Sequence, residues 1–142
     1  MTTVAQLLAS KPRALYAVEP DQPVLEAIKR MAEHGIGALL VMQGTKLAGI
    51  VSERDYARKV ILMGRSSSDT PVSQIMTASV ITVTPGQSAQ ECMALMTNHR
   101  CRHLPVVERG EVIGMLSIGD LVRAVLEEQQ RAISDLEQYI RG

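Results

Sequence analysis

The sequence predicts an α/β (α+β) fold built from two βαββα repeats that pack with pseudo-two-fold symmetry. Three observations predict it: an internal repeat covering most of the chain, apolar spacing that alternates between strand and helix periods, and turn formers at matching places in both halves. An offset of 65 residues aligns Tyr16/Ile81 through Ile61/Leu126 without a gap. Identities along that register include Val18/Val83, Pro20/Pro85, Glu26/Glu91, Met31/Met96, His34/His99, Leu39/Leu104, Gly49/Gly114, Ser52/Ser117, Asp55/Asp120 and Arg58/Arg123.

Each half opens with a short apolar strand, Leu15 to Val18 and Val80 to Val83, which ends near a proline. A helix follows, with apolar residues at helical spacing: Val24, Ala27, Ile28 and Met31 in one copy, Ala89, Cys92, Met93 and Met96 in the other. Two strands come next, Ala38 to Met42 and Lys46 to Ser52, joined at Gln43-Gly44-Thr45. Their counterparts run His103 to Glu108 and Glu111 to Ser117 around Arg109-Gly110. A second helix starts directly after Ser52 and after Ser117.

The polar stretch Gly64-Arg65-Ser66-Ser67-Ser68-Asp69-Thr70-Pro71 divides the halves. The expected boundaries are a first repeat over 1–63, a connector over 64–71, a second repeat over 72–127 and a helical extension over 128–142. Neither half is large enough to cover its own sheet, so the copies are expected to pack together and leave paired clefts at their seam. In the extension, Val125, Ala132, Leu136 and Ile140 prolong one apolar stripe. Two readings of that stripe stand side by side: a cap on the chain's own core, or a surface for a second copy of the protein.

Bulk composition narrows the function. With 15 basic and 15 acidic residues the net charge is +0, so no overall field gathers a polyanion, and nucleic acid is not an expected partner. No run of 18 or more uncharged apolar residues is present and the N-terminus lacks a secretory pattern, which points to the cytoplasm and away from membranes. Phe and Trp are absent, so Leu, Ile, Val, Met and Ala must fill the core. Cys92 and Cys101 read as small buried side chains rather than a disulfide, and nothing has the ligand spacing of a zinc site.

The strand-to-helix junctions Gly49-Ile50-Val51-Ser52-Glu53-Arg54-Asp55 and Gly114-Met115-Leu116-Ser117-Ile118-Gly119-Asp120 carry the chemistry. A lone Ser-x-x-Asp reads as a variant capping box. Two copies also suit a nucleotide, because helix-start amides and a hydroxyl hold phosphate oxygens while a carboxylate accepts from ribose hydroxyls. No P-loop, Gly-x-Gly-x-x-Gly fingerprint or nucleophile elbow is present.

The tandem Gly-hydrophobic-hydrophobic-Ser-x-x-Asp junctions, with His103-Leu104-Pro105-Val106, Ser52 to Tyr56 and Met96 to Arg100, resemble a pair of cystathionine β-synthase (CBS) domains, as in small stand-alone CBS-pair proteins. The resemblance covers nearly the whole chain. It implies one cleft formed by Ile50, Ser52, Arg54 and Asp55 with Ile81, Cys101, Arg102 and His103, and another by Met115, Ser117 and Asp120 with Tyr16, Ile36, Gly37 and Ala38. The aspartates would hold ribose, serine and basic groups phosphate, and apolar side chains with strand backbone the adenine.

The implied ligands are AMP, ADP or ATP, with NAD as a further candidate. The implied role is a non-catalytic sensor, homodimeric, that signals to a regulated protein the sequence does not identify. Ala38-Leu39 opposite His103-Leu104, and Arg54 opposite Gly119, make the two clefts chemically unequal. Arg102 and His103 are expected at phosphate, Arg100 at a helix dipole, and His34 and His99 as caps of helix ends. The alternatives are a constitutive dimerisation scaffold and a nucleotide hydrolase or thiol enzyme using Cys101.

Overall fold

Hairpins are the most local part of the fold, and both form where the turn residues place them. In the computed structural model, which describes residues 1–11 and 15–141, β2 (Ala38–Gln43) pairs antiparallel with β3 (Lys46–Ser52), and β4 (His103–Glu108) with β5 (Glu111–Ser117). The repeat extends to register. Ala38 faces Ser52 as His103 faces Ser117, and each hairpin carries an irregularity at the same place, Val41/Met42 and Val106/Val107. The second turn has positive φ at both Arg109 and Gly110, as a two-residue hairpin loop twisted to match its strands requires.

The first helix of each repeat also has matching limits, α2 at Val24–His34 and α4 at Ala89–His99. Ser88 caps α4 by accepting from the Glu91 amide, whereas α2 starts after Pro23 without a side-chain cap. Both helices end in a left-handed residue, Gly35 in one copy and Arg100 in the other. Arg100 is thus the residue that closes α4, as well as a cation at its C-terminus.

The strands expected at the start of each repeat are shorter than their apolar runs. Only Ala17–Val18 forms β1, parallel to β2 through Ala17/Leu40 and Val18/Val41. The stretch Val80 to Val83 forms no strand; Val83 alone makes a parallel bridge to Val106, its amide donating to the Pro105 carbonyl at 3.0 Å. Val18 and Val83 are nevertheless both buried, so the pattern marked the anchoring residue and overstated the strand around it.

The chain folds as two units that do not follow its halves. One comprises Ala14–Val80; the other joins Met1–Arg13 to Ile81–Gly142. The segment preceding each repeat therefore belongs with the other repeat. Helix α1 (Val4–Ala9), capped by Thr3 in a capping box with Gln6, lies in the unit of the second repeat. There the Val4 amide donates to the Gln87 carbonyl and the Ala5 amide to Pro85, while Thr2 accepts from the Ala89 amide. In the unit of the first repeat a single 3₁₀ turn, Val72–Gln74, does the same: Val72 donates to Gln22, Ser73 to Pro20, and Thr70 accepts from Val24.

Each unit has its own core. Val18, Val24, Ala27, Met31, Leu39, Val41 and Val51 cluster with Val72 and Ile75 in one. Val83, Ala89, Cys92, Met96, Leu104, Val106 and Leu116 cluster with Val4 and Leu7 in the other. Burying each Val, Leu, Ile or Met among them contributes roughly 1.5–3 kcal/mol. The expected composition of the core holds, since aliphatic residues and Met fill both.

The second helix differs between copies. After β3, α3 (Glu53–Tyr56) runs into a π-helical turn, Ala57–Ile61. After β5, α5 continues unbroken from Ile118 to Arg141. Its early residues Leu121 and Ala124 are buried, but every described residue from Gln129 on is exposed. The tail therefore does not cap its own core, which removes one of the two readings of the apolar stripe; Gly142 lies outside the described residues. No helix among the described residues is long and apolar enough to cross a membrane.

Candidate functional site

Ser52 and Ser117 are the last residues of β3 and β5 and directly precede the following helices, so each Ser-x-x-Asp closes a reciprocal cap. The Asp55 amide donates to Ser52 Oγ at 3.2 Å, while Asp55 Oδ2 accepts from the Ser52 amide and hydroxyl, both at 3.0 Å. At the second junction the Asp120 amide donates to Ser117 Oγ at 3.2 Å and the Ser117 amide to Asp120 Oδ2 at 2.8 Å. The structural role of the pair is thus real in both copies.

The remaining carboxylate oxygens separate the copies. Asp55 Oδ1 faces Lys59 Nζ at 3.3 Å, from a lysine that is 45% exposed. Asp120 is enclosed: Lys11 Nζ donates to Oδ2 at 2.8 Å and Arg123 to Oδ1 at 2.6 Å, leaving the side chain 7% exposed. Burial by itself pushes the Asp120 carboxyl up, but the hydrogen bond from Lys11 and those from Ser117, with the Lys11 charge, hold it below the usual carboxylate range. Lys11 also donates to the Met115 carbonyl at 2.8 Å.

The other candidates gather beside the junction of their own unit. The Glu53 amide donates to the Gly37 carbonyl at 3.0 Å, and Ala38 pairs with Ser52, so Ile36, Gly37 and Ala38 adjoin Ser52, Arg54 and Asp55. Ile50 lies on β3 and Arg54 is exposed on α3. The Tyr16 carbonyl accepts from the Leu40 amide, and its ring stacks on His34 with centroids 3.8 Å apart. His34 therefore serves as a stacking partner as well as standing at the end of α2.

The second unit repeats the arrangement. The Ile118 amide donates to the Arg102 carbonyl at 2.9 Å and His103 pairs with Ser117, which sets Cys101, Arg102 and His103 beside Ser117 and Asp120. Ile81 packs on this core, and Met115 lies half-buried on β5. Burial pushes the His103 imidazole down; the Asp120 charge opposes this, and Lys11 and Arg102 reinforce it. At neutral pH His103 is then an uncharged donor or acceptor. The Asp55 and Asp120 amides are engaged within their caps, and those of Glu53 and Ile118 by the Gly37 and Arg102 carbonyls, which leaves fewer helix-start donors than the motif alone implies.

Both cysteines are free thiols, Cys92 buried and Cys101 half-buried, and burial raises the pKa of each. Among the described residues no group of three or more His, Cys, Asp or Glu could hold a metal ion.

Sequence reasoning missed Lys11. It lines a cleft of about 600 Å³ within the second repeat's unit, together with Gln6, Ser10, Asp120, Arg123 and Arg131. No signal pointed to it, because Ser79 stands in the equivalent place at the offset of 68 that relates the segments preceding the two repeats, and the tie to Asp120 joins positions 109 residues apart.

Comparisons with known proteins agree with this duplicated geometry. The CBS domain family pattern matches residues 8–61 and again 72–127. The chain is 43% identical to the mitochondrial CBS domain-containing protein CBSX3 of Arabidopsis thaliana, over 99% of this chain and 73% of that protein. A CBS-domain protein from Burkholderia ambifaria MC40-6 superposes with a TM-score of 0.87 at 60% identity, covering 90% of this chain and 96% of that one. The CBS domain pair of protein MJ0100, solved in complex with 5′-methylthioadenosine and S-adenosyl-L-methionine, superposes with a TM-score of 0.79 at 25% identity, covering 90% and 98%. With its two matching helix–hairpin–helix repeats, its paired Ser-x-x-Asp junctions and two matches to one family, the chain belongs to the CBS domain family and carries two CBS domains in tandem.

Proposed function

We propose that this protein is a non-catalytic regulatory module that binds an adenosine-containing ligand (AMP, ADP or ATP, or NAD) and passes its bound state to a partner protein as a homodimer. The observation that carries the reading is the Asp55 junction. One carboxylate oxygen completes the helix cap, while the other, among the described residues, faces an exposed lysine, which supports a role for it as an acceptor from ribose hydroxyls that leaves the cap intact. Arg54 and Lys59 are exposed cations near it for phosphate, and Ile36, Ile50 and Tyr16 supply apolar surface for a purine, a grouping within one unit that departs from the pairing across the repeats implied by the family resemblance. The adenosine ligands of the MJ0100 pair support the ligand class.

On this reading the Ser117/Asp120 junction, with Met115, Cys101, Arg102, His103 and Ile81, binds more weakly, because a ligand there must displace Lys11 or Arg123 from Asp120. Only a ligand with different affinity for two states of the protein transmits a signal.

Isothermal titration with AMP, ATP and NAD tests the proposal. Asp55→Asn is expected to lose about tenfold or more in affinity, equivalent to about 1.4 kcal/mol, while Asp120→Asn changes the tightest site far less. Absence of binding by every adenosine ligand, or an Asp55→Asn protein that binds as tightly as the parent, overturns it. Recovery of unchanged nucleotide after incubation is expected; a hydrolysed product would favour an enzyme.

A further inference from the structure

Helix α5 has two apolar faces, and only one has a partner within its own unit. Leu121 and Ala124 are buried, and Glu128 ties the last supported turn by accepting from the Thr2 amide and from Gln90 Nε2. About a third of a turn round the helix runs a second stripe, Val122, Leu126, Gln129, Ile133, Leu136 and Ile140. Its members alternate spacings of four and three, the seam of a coiled coil. Leu126 is 59% exposed, Ile133 50%, Leu136 60% and Ile140 74%. All thirteen residues from Gln129 to Arg141 are exposed, a length at which an isolated helix is marginal in water.

We propose that this stripe pairs with the same stripe of a second copy, the two α5 helices running antiparallel. The inference rests on the self-association in the functional reading above and not on its ligand. One register satisfies every position: Val122 opposite Ile140, Leu126 opposite Leu136 and Gln129 opposite Ile133, each contact made twice about a two-fold axis near Arg131. In that register the flanking Arg123 of one copy meets Glu137 of the other, and Ala132 meets Ala132 at the axis. Arg123 is 68% exposed and has donors beyond the one given to Asp120, so it can serve both carboxylates. A parallel pair would set Gln129 on Gln129 and bring no opposite charges together, so the charges select the antiparallel arrangement.

The full chain carrying Cys101→Ser, with Cys92 left in the core, is tested with single added cysteines under mild oxidation. Ala132→Cys is expected to cross-link to its own copy, and Ile140→Cys is not, because Ile140 faces Val122 of the second copy. Leu136→Glu is expected to weaken self-association by about tenfold or more, halving the mass seen by light scattering, while far-UV circular dichroism keeps the folded signal. Efficient Ile140→Cys cross-linking without Ala132→Cys cross-linking overturns the antiparallel pair. A Leu136→Glu protein of undiminished mass overturns the surface while leaving self-association standing, and a parent chain that is monomeric at all concentrations overturns both.

Discussion

At the scale of single residues, the repeat hides an inequality that decides which junction is open. Asp55 and Asp120 occupy the same place in sequence and make the same cap, yet a lysine from a distant segment closes one of them. The cap was legible from Ser-x-x-Asp, because it is built within four residues; the closure was not, because Lys11 has no counterpart in the other copy. The consequence for stability has a definite sign. The Asp120 carboxyl is held below its ordinary value in the folded chain, so its contribution is fully present above the unfolded carboxylate range near pH 4 and is lost as pH falls through the folded value. Lys11→Met should lower stability at pH 7 by about 1–2 kcal/mol. Urea melts of parent and variant should converge as the pH drops below about 4. A gap unchanged between neutral and acid pH would mean that the lysine acts through its apolar stem and not its charge.

At the scale of elements, hairpins and first helices were readable because their signals are local: helical spacing in Val24 to Met31, a Gly-containing turn between alternating strands. Helix α1 and the turn at Val72–Gln74 escaped because each is too short for periodicity and is held by hydrogen bonds from a repeat distant in sequence. The two segments are themselves related, Val4-Ala5-Gln6-Leu7-Leu8 matching Val72-Ser73-Gln74-Ile75-Met76, at an offset of 68 that a register of 65 conceals. Both end against the glycine in the last strand of their unit. A Cβ added at Gly49 would lie 2.6 Å from the Thr77 carbonyl oxygen, in backbone that pairs with Ile50 through bonds of 2.8 and 3.0 Å. At Gly114 the added Cβ would lie 2.6 Å from Leu8 Cδ2, the end of a side chain that can rotate. Gly49→Ala should therefore cost about 2–3 kcal/mol and Gly114→Ala less than about 1.5. Thermal melts of the pair give the ranking, and equal losses would show that Leu8 is as firmly held as backbone.

At the scale of the whole molecule, the order of the chain and the order of the fold part company. The repeat alone suggests cutting in the polar connector, since both βαββα patterns are then intact. The fold assigns 14–80 to one unit and joins 1–13 to 81–142 in the other, so a cut at 64–71 strips each repeat of the segment that finishes its core. A fragment 1–63 lacks Val72 and Ile75, both fully buried among Val18, Met31 and Leu39, and leaves the bonds offered by Gln22, Pro20 and Val24 without partners. Losing two such side chains removes roughly 3–6 kcal/mol of burial from a unit of a size where folding is already marginal. A fragment 14–80 keeps every one of those contacts with only a few more residues. It is expected to show the greater helical ellipticity and a sigmoidal thermal transition, where 1–63 melts gradually or not at all. If 1–63 unfolds as cooperatively as 14–80, the segment after the connector is an accessory and the repeat is sufficient by itself.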